Sequence, residues 1–165
     1  MKKNKIERLF EVMERIDNTF KRVKDGDLTS EEMTEIILEN PKRIDDFDLE
    51  KLESTNILDI LMYEPQLIDK LRPFLGNLHG DDILQLIIYQ PKVRNDLEKF
   101  KYLIQDYNIY YELKKYPQHV QHIEDILDKL DADQIEGLIK RHPQLKQNMG
   151  MRKIIVDKGL SREFL

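Results

Sequence analysis

Five prolines, Pro41, Pro65, Pro91, Pro117 and Pro143, stand 24, 26, 26 and 26 residues apart, and apolar residues hold fixed offsets from each of them. Eight residues before the proline are Met33, Ile57, Ile83, Ile109 and Ile135; four before it are Ile37, Leu61, Ile87, Leu113 and Ile139. Five before it are Ile36, Ile60, Leu86, Glu112 and Leu138, so this column is broken once. Offsets of this kind lie on one face of a helix. The residue ahead of a proline is pushed out of helical geometry, whereas proline itself is tolerated in a first helical turn. Each proline therefore marks a corner where one helix stops and another starts.

Two further columns belong to the second helix of each unit. Leu28, Leu52, Leu78, Ile104 and Leu130 precede the prolines by thirteen, and Phe47, Leu71, Leu97, Ile123 and Met149 follow them by six. In the fourth unit Val120, Ile123, Ile126, Leu127 and Leu130 keep helical spacing onward from Pro117, while Pro73 and Gly76 predict a kinked or split helix in the second. A pair of short helices with one apolar face each cannot bury that face alone, but stacked pairs make a continuous core. The expected fold is all-α, an α-solenoid of stacked helix pairs with an N-terminal capping helix. It is expected as a single domain over 1–165: a capping helix at 1–24, about five repeats over 25–149, and a C-terminal cap at 150–165.

Ile6, Leu9, Met13, Ile16, Phe20 and Val23 alternate steps of three and four, which predicts a helix over residues 2–24. Phe10 and Val12 widen its stripe, as expected of a helix lying on a broad core; a homodimer seam is the alternative. Asp25-Gly26-Asp27 should end it. A calcium loop counted from Asp25 would need glycine and glutamate where Ser30 and Ile36 stand, so Thr29 and Glu32 are read instead as a capping box opening a helix at about Ser30. Asp131-Ala132-Asp133-Gln134 supplies another turn and cap, and Met151 to Lys158 a last short helix closed by Gly159, with Phe164 and Leu165 folding back.

The stretches Glu64-Pro65-Gln66-Leu67-Ile68-Asp69, Leu78-His79-Gly80-Asp81-Asp82-Ile83 and Gln90-Pro91 resemble the short proline-containing α-helical repeats of many uncharacterised bacterial proteins, similar to leucine-rich-variant and other armadillo-like solenoids. The resemblance covers roughly residues 30–149. It implies a binding platform and is nearly silent on activity.

Charge is unevenly spread. Residues 1–24 carry +4, residues 25–100 carry -10 and the remainder +1, for a net charge of -5. The acidic middle would repel a phosphate backbone, which makes nucleic acid an unlikely partner. No run of side chains predicts a membrane span. The chain has no cysteine, which fits a reducing, cytoplasmic setting.

Signatures of known chemistry are missing: no glycine-rich phosphate loop, no glycine-flanked nucleophilic serine and no metalloprotease motif occurs. His119 and His122 stand one turn apart, yet no third ligand has a recognisable spacing, and His119 shares a column with Leu67, Val93 and Leu145. No catalytic residue, cofactor or metal is expected. The informative anomaly is Glu112, which replaces an aliphatic core residue amid Tyr102, Tyr107, Tyr110, Tyr111 and Tyr116, five of the seven tyrosines. One reading is a slightly rotated helix whose tyrosines pack with their hydroxyls at the surface. The other is a protein-recognition patch with Lys99, Lys101, Lys114 and Lys115 as its rim. A second candidate surface is the acidic flank of Asp45, Asp46, Asp48, Glu50, Glu53, Asp59, Glu64 and Asp69. The expected function is a non-enzymatic protein-binding module, an inhibitor or assembly adaptor. The alternatives are a nucleic-acid-associated protein using the basic N-terminal helix, and an enzyme with an unrecognised site.

Overall fold

The computed structural model describes residues 28–160. The expected helix over 2–24, its roles as cap or dimer seam, the turn at Gly26 and the fold-back of Phe164 and Leu165 lie outside the described residues. Within them the chain is all-helical, with no strand. Its α-helices are α1 (Ser30–Glu39), α2 (Ser54–Tyr63), α3 (Ile68–Leu71), α4 (Gly80–Tyr89), α5 (Arg94–Leu97), α6 (Asp106–Lys115), α7 (Ala132–Arg141) and α8 (Met149–Asp157), joined by 3₁₀ segments.

Helices α1, α2, α4, α6 and α7 are each ten residues long, and each ends two residues before a proline. The intervening residue leaves helical geometry, as Gln90 does at φ -127° and ψ 76°, because the proline ring crowds it. The starts are as regular as the ends. In all five helices the side chain nine residues before the proline accepts the N–H of the residue preceding the helix. Glu32 accepts from Thr29 at 3.0 Å, Asn56 from Glu53 at 3.1 Å, Asp82 from His79 at 3.0 Å, Asn108 from Gln105 at 2.7 Å and Gln134 from Asp131 at 3.0 Å. Thr29 and Asp131 complete the capping boxes read from the sequence by accepting the N–H of Glu32 and Gln134.

These five helices pack in succession, α1 on α2, α2 on α4, α4 on α6 and α6 on α7. Polar bonds spanning 27 or 28 residues fix their register. At the helix starts Ser54 donates to Asp82, Asn108 to Asp81, and Gln134 to Asp106 at 2.9 Å. At the ends Gln90 Nε2 donates to the carbonyl of Met62 at 2.9 Å, and His142 Nε2 meets the carbonyl of Lys114 at 2.9 Å. Both carbonyls belong to last turns, which have no intrahelical donor. All residues of the columns eight and four before the proline are buried, as are those thirteen before it, and one connected apolar cluster runs from Leu28 to Ile155.

The segments after the prolines correct one expectation. Over Pro117–His122 and Glu124–Lys129 the chain is 3₁₀ rather than α-helical, and in the second and third units one turn of α-helix, α3 or α5, is flanked by 3₁₀ turns. A 3₁₀ helix brings i and i+3 onto one line, and Val120, Ile123 and Ile126 are spaced by threes, so this winding buries all three. The second unit is split as its Pro73 suggests. Met149 departs from its column: it opens α8 and is 82% exposed, while Met151 enters the core. Asn148 caps α8 by accepting the N–H of Met151 at 2.9 Å, which starts a helix where the other units continue in 3₁₀ turns. Gly159, at φ 66°, ends α8 as expected of a glycine in the left-handed region.

Candidate functional site

The six residues singled out by the sequence, Tyr102, Tyr107, Tyr110, Tyr111, Glu112 and Tyr116, fall into separate environments. Tyr107, Tyr110, Tyr111 and Lys114 lie on α6 at intervals of three and four and so share a face. Tyr107 and Tyr111 are exposed, whereas Tyr110 is half-buried with its hydroxyl beside Gly137 of α7. The Tyr110 and Tyr111 rings meet edge to face at 5.5 Å, and Lys114 Nζ lies 5.4 and 5.8 Å from their centroids. This group is a cation held over two aromatic rings. Tyr102 is exposed on the 3₁₀ segment Glu98–Leu103, before α6 begins.

Glu112 and Tyr116 face the other way. His119 is buried, and its Nδ1 lies 2.6 Å from Oε1 of Glu112. A carboxylate can only accept, so Nδ1 carries the proton and donates it. Around His119 stand Tyr89, edge-on at 5.3 Å, Tyr116 at 5.2 Å and His122 at 6.3 Å between ring centroids. Partial burial, and then the nearby Glu112 charge, push the Tyr89 hydroxyl above its ordinary value. Lys115 sits over the Tyr116 ring at 4.9 Å, and Tyr116 is the main influence raising its pKa above the usual lysine value. This is a polar cluster bridging α4, α6 and the turn after Pro117. Among the described residues no group of three His, Asp or Glu side chains could hold a metal ion.

The expected basic rim is only partly present. Lys114 and Lys115 flank the tyrosines, but Lys101 is turned inward and held by Glu98, at 2.6 Å, and by Asp125, while Lys99 covers Phe100. Part of the acidic flank is likewise engaged within the chain, Asp45 by Lys70 at 2.6 Å and Asp69 by Arg72 at 2.8 Å. Sequence reasoning missed Tyr89 as a member of the polar cluster. Its signal was present: Tyr63 and Tyr89 both stand two residues before a proline, the column that Lys115 and Arg141 continue. Among the described residues no helix is long and apolar enough to cross a membrane. Comparison with family models, with curated proteins and with solved structures finds no match to this chain.

Proposed function

We propose that the chain is an α-solenoid acting in the cytoplasm as a non-enzymatic module that binds another protein through the tyrosine face of α6. The solenoid reading is supported by the successive packing of the five ten-residue helices and by their bonds at 28-residue intervals. The observation that carries the binding reading is the exposure of Tyr107 and Tyr111 on one helix face, with Lys114 held across the neighbouring rings. Tyrosine has few rotatable bonds to order on docking and is over-represented among residues that dominate binding energy. The polar cluster of Glu112 and His119 supports this role by tying α6 to the segment that follows it. A Tyr107→Ala/Tyr111→Ala chain tests the reading in a quantitative pull-down against the parent. Specific capture should fall by about ten-fold or more. Unchanged capture by a folded variant overturns it.

A further inference from the structure

Glu39, Tyr63, Tyr89, Lys115 and Arg141 are the last residues of the five ten-residue helices, each two positions before its proline. The helices pack in succession, and bonds join the ends of α2 and α4 and the ends of α6 and α7. Gln90 reaches the carbonyl of Met62, His142 reaches that of Lys114, and the charge of Lys115 is felt at Tyr89. With neighbouring helices about 8–10 Å apart, five such ends in succession would span roughly 35 Å. Read along the stack, their order is acid, aromatic, aromatic, cation, cation.

That order is complementary to its own reverse. Turned about Tyr89, the row sets Glu39 against Arg141, Tyr63 against Lys115 and Tyr89 against itself. A two-fold axis performs this reversal, and the contacts it makes are an ion pair at each end, Lys115 moved from its own Tyr116 ring to Tyr63 of the other copy at each intermediate position, and a ring pair at the centre. We infer that a second copy of this chain docks antiparallel on the row of helix ends, with the two-fold axis at Tyr89.

The groups at its two ends are available for this. Glu39 and Arg141 are exposed, and among the described residues neither has an ion-pair or hydrogen-bond partner. Glu39 also sits at the C-terminal end of α1, where the helix dipole disfavours a carboxylate and gives no local reason for one. Tyr63 is 74% exposed and Tyr89 48%. A nucleic-acid strand fits this row less well, because its phosphates would meet Glu39 and the other carboxylates of α1, Glu31 and Glu35, at one end. Helix ends in a row of this length present on the order of 500 Å² per copy, at the small end of specific interfaces, so association is reversible and weakens with salt. The row is distinct from the exposed α6 residues Tyr107 and Tyr111, and the dimer stands or falls separately from the partner-binding reading.

Sedimentation of the whole chain over a wide concentration range tests it, using charge reversals at the two ends. Arg141→Glu alone and Glu39→Arg alone each place like charges opposite one another twice, and each should weaken dimerisation by about ten-fold or more. The double variant Glu39→Arg/Arg141→Glu restores both ion pairs with reversed polarity and should recover most of the parent association. Circular dichroism checks that these surface changes leave the helices intact. A parent that stays monomeric throughout, a dimer indifferent to the single reversals, or singles that the double variant does not rescue would each overturn the inference.

Discussion

Glu112 and His119 occupy two positions that hold aliphatic pairs in other units, Leu86 with Val93 and Leu138 with Leu145, and in the fourth unit they form a hydrogen bond of 2.6 Å instead. The two departures from the apolar columns thus make one polar contact where other units carry aliphatic residues. Glu112→Leu would leave the His119 Nδ1–H without its acceptor, and His119→Leu would leave a half-buried carboxylate without its donor. Each single change should cost about 1–3 kcal/mol. The double change rebuilds the aliphatic pair and should be more stable than either single variant. Urea unfolding of the four chains measures this, and additive losses would mean that the two side chains are not coupled.

Gly80 begins α4 against the neighbouring unit. A Cβ there would stand 2.5 Å from the Leu103 carbonyl oxygen and 2.9 Å from Asn108 Oδ1. In an open helix, alanine in place of glycine stabilises by about 1 kcal/mol. Here the sign should reverse, because the obstructing atom is backbone and cannot swing away. A lowered melting temperature for Gly80→Ala is the expected result, and a raised one would show that the two units sit farther apart.

Lys101 and Asp125 link the third and fourth units and give stability a defined pH dependence. Burial opposes the charge on Lys101, but the Asp125 and Glu98 hydrogen bonds outweigh it and raise its pKa above 10.5. Burial likewise opposes the Asp125 charge, and Lys101 reverses this and lowers its pKa below 3.8. The depressed carboxylate contributes stability above its unfolded value, lost as pH falls through the folded one. The raised ammonium contributes stability below its unfolded value, lost as pH rises through the folded one. Lys101→Met should therefore cost stability at neutral pH by about 0.5–1 kcal/mol, since Asp125 remains partly solvated. The difference from the parent should shrink below pH 3.8 and again above pH 10.5. A constant difference across that range would assign the loss to packing of the lysine stem.

Leu61 and Ile87 lie at the same position in successive helices and are buried. An aspartate at either would place a carboxylate in the apolar core with no partner, at a cost of more than about 4 kcal/mol. Loss of the cooperative thermal transition is expected for both variants. Cooperative melting near the parent temperature would contradict a continuous core across the units.

The corners and the buried columns were legible because a proline and a recurring apolar offset each allow few local solutions. Leu61 and Ile87 had nowhere to go but inward. The winding after each proline was harder to read, since Val120, Ile123 and Ile126 fit one stripe of either helix type and only the packed length distinguishes them. Met149 misled because the fifth unit ends early, and Asn148 redirects the chain. The polar column of Glu32, Asn56, Asp82, Asn108 and Gln134 was open to view, but it mixes acids with amides and shows its unity only when each is seen accepting the same N–H. The association of Tyr89 with Glu112 and His119 depends on how one unit sits on the next, which no single repeat encodes.

Binding of another protein at the tyrosine face of α6 is tested most directly by a photo-reactive side chain placed on it. Tyr111→p-benzoylphenylalanine should yield, on irradiation in cells, a discrete covalent adduct with a second protein. The same group at Asp59, the exposed and corresponding position of α2, should not. No adduct from position 111, or the same adducts from both positions, would contradict the assignment of this face.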